Sequence, residues 1–144
     1  MPNTEQGGCY CGNVSVEVVL SVPLPRFTPR ACDCDFCVKH GAAYISDPEG
    51  RLILRLRNPD QVNAFTQGSG TAQFVICGVC GVLVGATCAS GSNVLGTLNT
   101  RALANRRDLG APQPASPRLL SKSEKLSRWE QIWFRDVVIE NSDA

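Results

Sequence analysis

Eight cysteines in a chain of 144 residues restrict this fold more than any other feature. They fall into groups: Cys9-Tyr10-Cys11-Gly12, then Cys32-Asp33-Cys34-Asp35-Phe36-Cys37, then Cys77-Gly78-Val79-Cys80-Gly81, with Cys88 alone. The stretch from Met1 to Gly8 is polar and holds no hydrophobic signal region, so a cytoplasmic location is expected. Thiols stay reduced there, and clustered reduced cysteines point to metal or redox chemistry rather than a disulfide framework. One histidine and one methionine leave thiolates as nearly all the soft ligands, a donor set that favours zinc over copper or haem iron.

Spacing divides the cysteines into two sites. In Cys77-x-x-Cys80-Gly81, two intervening residues let both sulfurs turn onto one ion, and Gly78 and Gly81 permit the tight backbone. A closed tetrahedral site needs two more thiolates. Cys9-x-Cys11-Gly12 is a natural donor, because it too is followed by glycine and opens a strand. Cys9, Cys11, Cys77 and Cys80 are therefore expected to hold a structural zinc, with Zn–S distances of about 2.3 Å. Cys32, Cys34 and Cys37 offer three thiolates within one short segment. Three protein ligands with an open fourth position mark a catalytic zinc, which can hold a substrate thiol as the nucleophilic thiolate. Alternatively His40 closes that site and makes it structural. Cys34-x-x-Cys37 also has the spacing of a redox pair, but lacks the βαβ context that accompanies one. Cys88 reads as a small core residue on a strand.

The rest of the chain is expected to form one mostly β domain over residues 1–144. Its composition, 43% hydrophobic and 19% charged, is ordinary for a globular protein, and a net charge of +1 gives no push toward nucleic acid or an anionic membrane. No apolar run approaches the roughly 20 residues of a membrane helix. Strands are expected at 14–20, 42–46, 51–57, 71–77, 82–88 and 93–98, cut by turns at 47–50, 58–60 and 68–70. Along 51–57, Leu52, Leu54 and Leu56 face one way and Arg51, Arg55 and Arg57 the other. Pro23, Pro25 and Pro29 forbid a continuous helix or central strand between the first two cysteine groups. Residues 99–117, with Arg101, Arg106 and Arg107, read as a long solvated loop. Leu126, Trp129, Trp133 and Val137 fit helical spacing, while 134–139 suits a strand; extended structure and loops are the preferred reading. With so little helix, metal cross-links would help to organise the fold.

The combined order Gly8-Cys9-x-Cys11-Gly12, Cys32-x-Cys34-x-x-Cys37 and Cys77-x-x-Cys80-Gly81 resembles the glutathione-dependent formaldehyde-activating enzyme family, which includes centromere protein V. Gly41-Ala42-Ala43-Tyr44, Gly96-Thr97-Leu98 and Trp129 extend the likeness over about residues 7–130. The resemblance implies a β-tent of small antiparallel sheets pinned by two zinc ions. It implies Cys9, Cys11, Cys77 and Cys80 on the structural ion, and Cys32, Cys34 and Cys37 on a labile ion that meets the sulfur of glutathione. The implied activity is a carbon–sulfur lyase that makes or breaks S-hydroxymethylglutathione. Lys39 or Arg30 could then pair with substrate carboxylates, and Trp129 could wall the pocket. The chain departs from the family pattern at Phe74 and Ile76, and Asp33 and Asp35 put negative charge beside the expected open metal. The alternative function is a non-catalytic zinc-stabilised binding module, whose sign would be a fourth protein ligand on the second zinc, His40 or Cys88.

Overall fold

Valines at 14, 16 and 18 and Leu20 turn to one side of a strand and are buried, while Ser15, Glu17 and Val19 between them are only half-buried. That period of two defines β2 (Val14–Leu20) and fixes which face meets the core. The computed structural model, which describes residues 3–141, pairs β2 with β1 (Asn3–Gly8) and β5 (Arg51–Leu56), both antiparallel. The arginines of β5 point away from the core, as their alternation predicts. Arg51 pairs with Asp136 at 2.8 Å, and Arg55 with Glu17 at 3.0 Å and Glu140 at 2.7 Å.

A second, seven-stranded sheet packs against this four-stranded one. It contains β3 (Arg30–Cys32), β4 (Tyr44–Ile45), β6 (Val62–Phe65), β7 (Gln73–Cys77), β8 (Leu83–Ser90), β9 (Asn93–Asn99) and β10 (Gln113–Ala115), in the order β10-β3-β4-β9-β8-β7-β6. Val84, Leu98, Val75 and Phe134 join β2 and β5 side chains in the core between the sheets. Leu83, Ala86, Cys88, Leu95, Phe74 and Trp133 form a second core on the opposite side of the larger sheet. With both faces covered, residues 83–88 of β8 are buried without a break, which explains why that stretch is not an alternating sequence.

The fold is mostly β with two short helices, but the sheets are mixed rather than purely antiparallel. Two late strands join in parallel: β11 (Asp136–Asn141) beside β5, and β10 beside β3. β10 and three 3-10 turns lie inside the 99–117 stretch and just after it, where a loop is expected. The C-terminal stretch corrects the preference for extended structure. Residues Lys122–Ile132 are an α-helix, α2, and both of the competing readings hold in succession, helix and then β11. The Ser121 hydroxyl accepts the Glu124 N–H while the Glu124 carboxylate accepts the Ser121 N–H, a reciprocal cap that starts α2. Between α2 and β11, Phe134 is fully buried and exchanges backbone hydrogen bonds with Gly96 at 2.8 and 3.0 Å.

Candidate metal centre

Two glycine-bounded turns bring the first and third cysteine groups together. Gly12 and Gly81 have φ of 89° and 82°, values that a side chain strains, so each turn reverses directly after its cysteine pair. The four sulfurs of Cys9, Cys11, Cys77 and Cys80 all lie within 4.8 Å of one another. Cys9 Sγ is 3.7 Å from Cys11 Sγ, which is 3.6 Å from Cys77 Sγ. A tetrahedron with Zn–S bonds of about 2.3 Å has sulfur–sulfur edges of about 3.8 Å, so this cluster is dimensioned for the ion.

Backbone N–H groups are aimed at these sulfurs. Val14 donates to Cys9 Sγ at 3.2 Å, and Val79 and Cys80 donate to Cys77 Sγ at 3.3 and 3.4 Å. Partial burial works against ionisation of Cys80, yet N–H groups of Cys11 and Val82 outweigh it and bring the thiol down to about 6. Sequence reasoning missed Asn13, which ties the turns together. Its buried side chain accepts the Asn58 N–H at 2.9 Å and donates to the carbonyls of Asn58 and Gln61 at 3.3 Å. The Gln61 carbonyl also accepts the Gly78 N–H at 2.6 Å, so one peptide joins both cysteine turns.

The middle group forms a separate cluster. Cys32 ends β3, Cys34 caps α1 (Asp35–His40), and Cys37 lies buried inside α1. Cys34 Sγ accepts the Cys37 N–H at 3.4 Å. The three sulfurs lie within 4.8 Å of one another, and among the described residues no fourth His, Cys, Asp or Glu completes the group. A hydrogen bond from the Cys37 thiol holds Cys32 as the ionised partner, down to about 6. That bond and burial push Cys37 up, although Tyr44 Oη, 3.1 Å from Cys37 Sγ, acts the other way. A divalent ion taking all three thiolates would have to displace the Cys37 proton.

Neither candidate fourth ligand joins this cluster. His40 is exposed at the far end of α1, its ring centroid 4.7 Å from that of Phe36. Cys88 is buried in the core beneath α2, where burial raises its pKa. Asp35 is exposed, and Asp33 is engaged elsewhere. A hydrogen bond from Ser116 Oγ at 2.6 Å and the Arg118 guanidinium at 3.1 Å hold Asp33 below the usual carboxylate range. Of the two acidic residues expected beside the cluster, Asp33 is therefore paired with a cation.

The cluster opens on a cavity of about 570 Å³, within the range of small-molecule sites. All three cysteines line it, and none of Cys9, Cys11, Cys77 and Cys80 does. Its other walls include Tyr44, Phe74, Trp129 and Trp133, the last two stacked with centroids 4.3 Å apart. Arg30 lines it and Lys39 does not. Lys125, Arg128, Trp129 and Ile132 reach it from one face of α2. These α2 residues, apart from Trp129, were not singled out from the sequence; the Ser121-Lys122-Ser123-Glu124 cap signal would have located them.

No protein-family model matches the chain, and no curated protein matches it. Among solved structures, the chain is similar to the crystal structure of a Rhodobacter sphaeroides protein, at 26% identity and a TM-score of 0.54. The match covers 76% of this chain and 99% of that one, and it bears on the fold. The fold and the side chains together describe a mostly β protein with two cysteine groups arranged to hold metal, one of which opens on a cavity.

Proposed function

We propose that this chain is a zinc-dependent carbon–sulfur lyase acting on a glutathione–aldehyde adduct, in the manner of the glutathione-dependent formaldehyde-activating family it resembles. One observation carries this reading: the three-cysteine cluster faces the cavity, while the four-cysteine cluster does not. A site with three protein donors and an open approach suits chemistry, and a site with four suits structure. Zinc bound at Cys32, Cys34 and Cys37 would supply a thiol as its thiolate near neutral pH.

The chain's own residues fit the remaining needs of the reaction. The thiolate sulfur adds to the aldehyde carbon, the carbonyl π bond breaks, and its oxygen takes a proton to give the hydroxyl of the adduct. Trp129, Trp133 and Phe74 restrict water on one side of the cavity. Tyr44 Oη, beside Cys37 Sγ, is a hydroxyl able to hydrogen-bond within the site. Cations around the cavity favour an anionic substrate.

The test is formation of S-hydroxymethylglutathione from glutathione and labelled formaldehyde, followed by NMR exchange spectroscopy. Zinc-loaded protein should speed exchange above the spontaneous rate, and Cys34→Ser should abolish the gain. Exchange at the spontaneous rate, with the second zinc site shown to be filled, removes the lyase reading.

A further inference from the structure

Among the described residues, four cations line the cavity, Arg30, Arg118, Lys125 and Arg128, and no carboxylate does. Two of the four are engaged. Arg118 is spent on Asp33, and Lys125 Nζ lies 3.4 Å from Ser69 Oγ. Arg30 and Arg128 form no salt bridge among the described residues.

Arg30 is the more unusual of the pair. It projects from β3, half-buried, two residues before Cys32. Its Nη2 donates to Ser46 Oγ at 2.8 Å and to Thr97 Oγ1 at 3.4 Å. Both hydroxyls pass their own protons onward, Ser46 to the Ile132 carbonyl at 2.7 Å and Thr97 to the Ile45 carbonyl at 3.1 Å. Their oxygens are thus left to accept, and the guanidinium is held from one side. A guanidinium has five N–H donors, so among the described residues most of this fork has no protein acceptor. Taking such a charge partly out of water beside Arg128, with only neutral acceptors, costs stability unless an anion completes it.

The neighbouring metal position makes the same demand. Three thiolates and one divalent ion leave one net negative charge, and a bound thiolate adds another. Fixed cations nearby offset this and favour an anionic ligand over a neutral one.

We propose that Arg30 and Arg128 form a carboxylate-anchoring subsite, by which this cavity selects carboxylate-bearing thiols over neutral ones. The part concerning thiols rests on the reading of the three-cysteine cluster as an open zinc site; the anchor does not.

Two ligand pairs separate these claims: N-acetylcysteine against its amide, and N-acetylalanine against its amide. The chain has two tryptophans, both in the cavity wall, so intrinsic fluorescence of the zinc-loaded protein reports binding directly. Within each pair the acid should bind about tenfold tighter than the amide, the size expected of a charge-assisted hydrogen-bonded pair. Arg30→Gln and Arg128→Gln should each reduce that preference, and Arg30→Lys should restore only part of it, because the fork is lost. Arg128 is exposed on α2, so its variant tests the idea even if Arg30→Gln does not fold. Equal binding of acid and amide overturns the anchor, as does failure of both acids to bind at millimolar concentration. So does an unaltered preference in folded Arg128→Gln, or in Arg30→Gln where that variant folds. A preference in both pairs with no gain from the thiol upholds the anchor and removes the thiol-site reading.

Discussion

Cysteines of similar spacing lie in different surroundings here. Cys77 ends a strand in the core between the sheets and touches the turn that holds Cys9 and Cys11. Cys34 caps a six-residue helix at the edge of a cavity. Cys77→Ser should therefore cost more than about 5 kcal/mol and leave no cooperative unfolding transition, since structural zinc contributes folding energy on that scale. Cys34→Ser should keep the melting transition and lose one metal equivalent. Calorimetry with metal analysis checks both, and equal collapse would remove the division between the sites. The thiols of the second cluster differ in turn. In protein stripped of the second metal alone, which keeps its fold, Cys32 should alkylate with a midpoint near pH 6, because the Cys37 hydrogen bond favours its thiolate. The sign is that of a depressed acid: reactivity rises as pH climbs through about 6, below the ordinary thiol range near 8.5. Cys37, pushed up by the same bond and by burial, should stay unreactive at neutral pH. Peptide mapping after iodoacetamide treatment gives both profiles.

At the scale of elements, legibility tracked whether a segment's neighbours were local. The strands β7, β8 and β9 were legible as separate segments, and β8 as the hairpin partner of β7, because each strand meets the next one in sequence. The parallel additions could not. β11 lies against β5 across some 85 residues of chain, and no local pattern states that partner. The helix α2 was obscured for another reason. Trp129, Trp133, Phe134 and Val137 form a continuing apolar series that belongs first to a helix and then to a strand, so neither period runs its full length. Gly96 shows what the sheets require of each other where they meet. A Cβ there would lie 2.9 Å from Leu52 Cδ2 and 3.0 Å from Val137 Cγ2, side chains of the opposing sheet. Gly96→Ala should destabilise by about 1–3 kcal/mol through overpacking, measured as a lower urea midpoint at unchanged m-value. A neutral result would mean that the two sheets separate more easily than their packing indicates.

For the whole molecule, metal is expected to act as a cross-link between distant parts of the chain. The four-cysteine cluster joins residues 66 apart in sequence, Cys11 and Cys77, in a fold with little helix. Anaerobically purified protein should carry about two zinc ions per chain. A strong chelator should remove them in two phases, the first leaving circular dichroism unchanged and the second abolishing it. A single phase with immediate unfolding would contradict the separation of the sites. The cysteines that gather within each group able to hold an ion, Cys9 with Cys11, Cys77 with Cys80, and Cys32 with Cys34 and Cys37, were determined by the sequence alone, because spacing is a property of adjacent backbone. Which cluster opens on a cavity, and what charge surrounds it, was decided only by tertiary structure. Arg30 comes from β3, Arg128 and Trp129 from α2, and Phe74 from β7. Those elements meet through packing between segments far apart in the chain, and such contacts leave no spacing in the sequence to read.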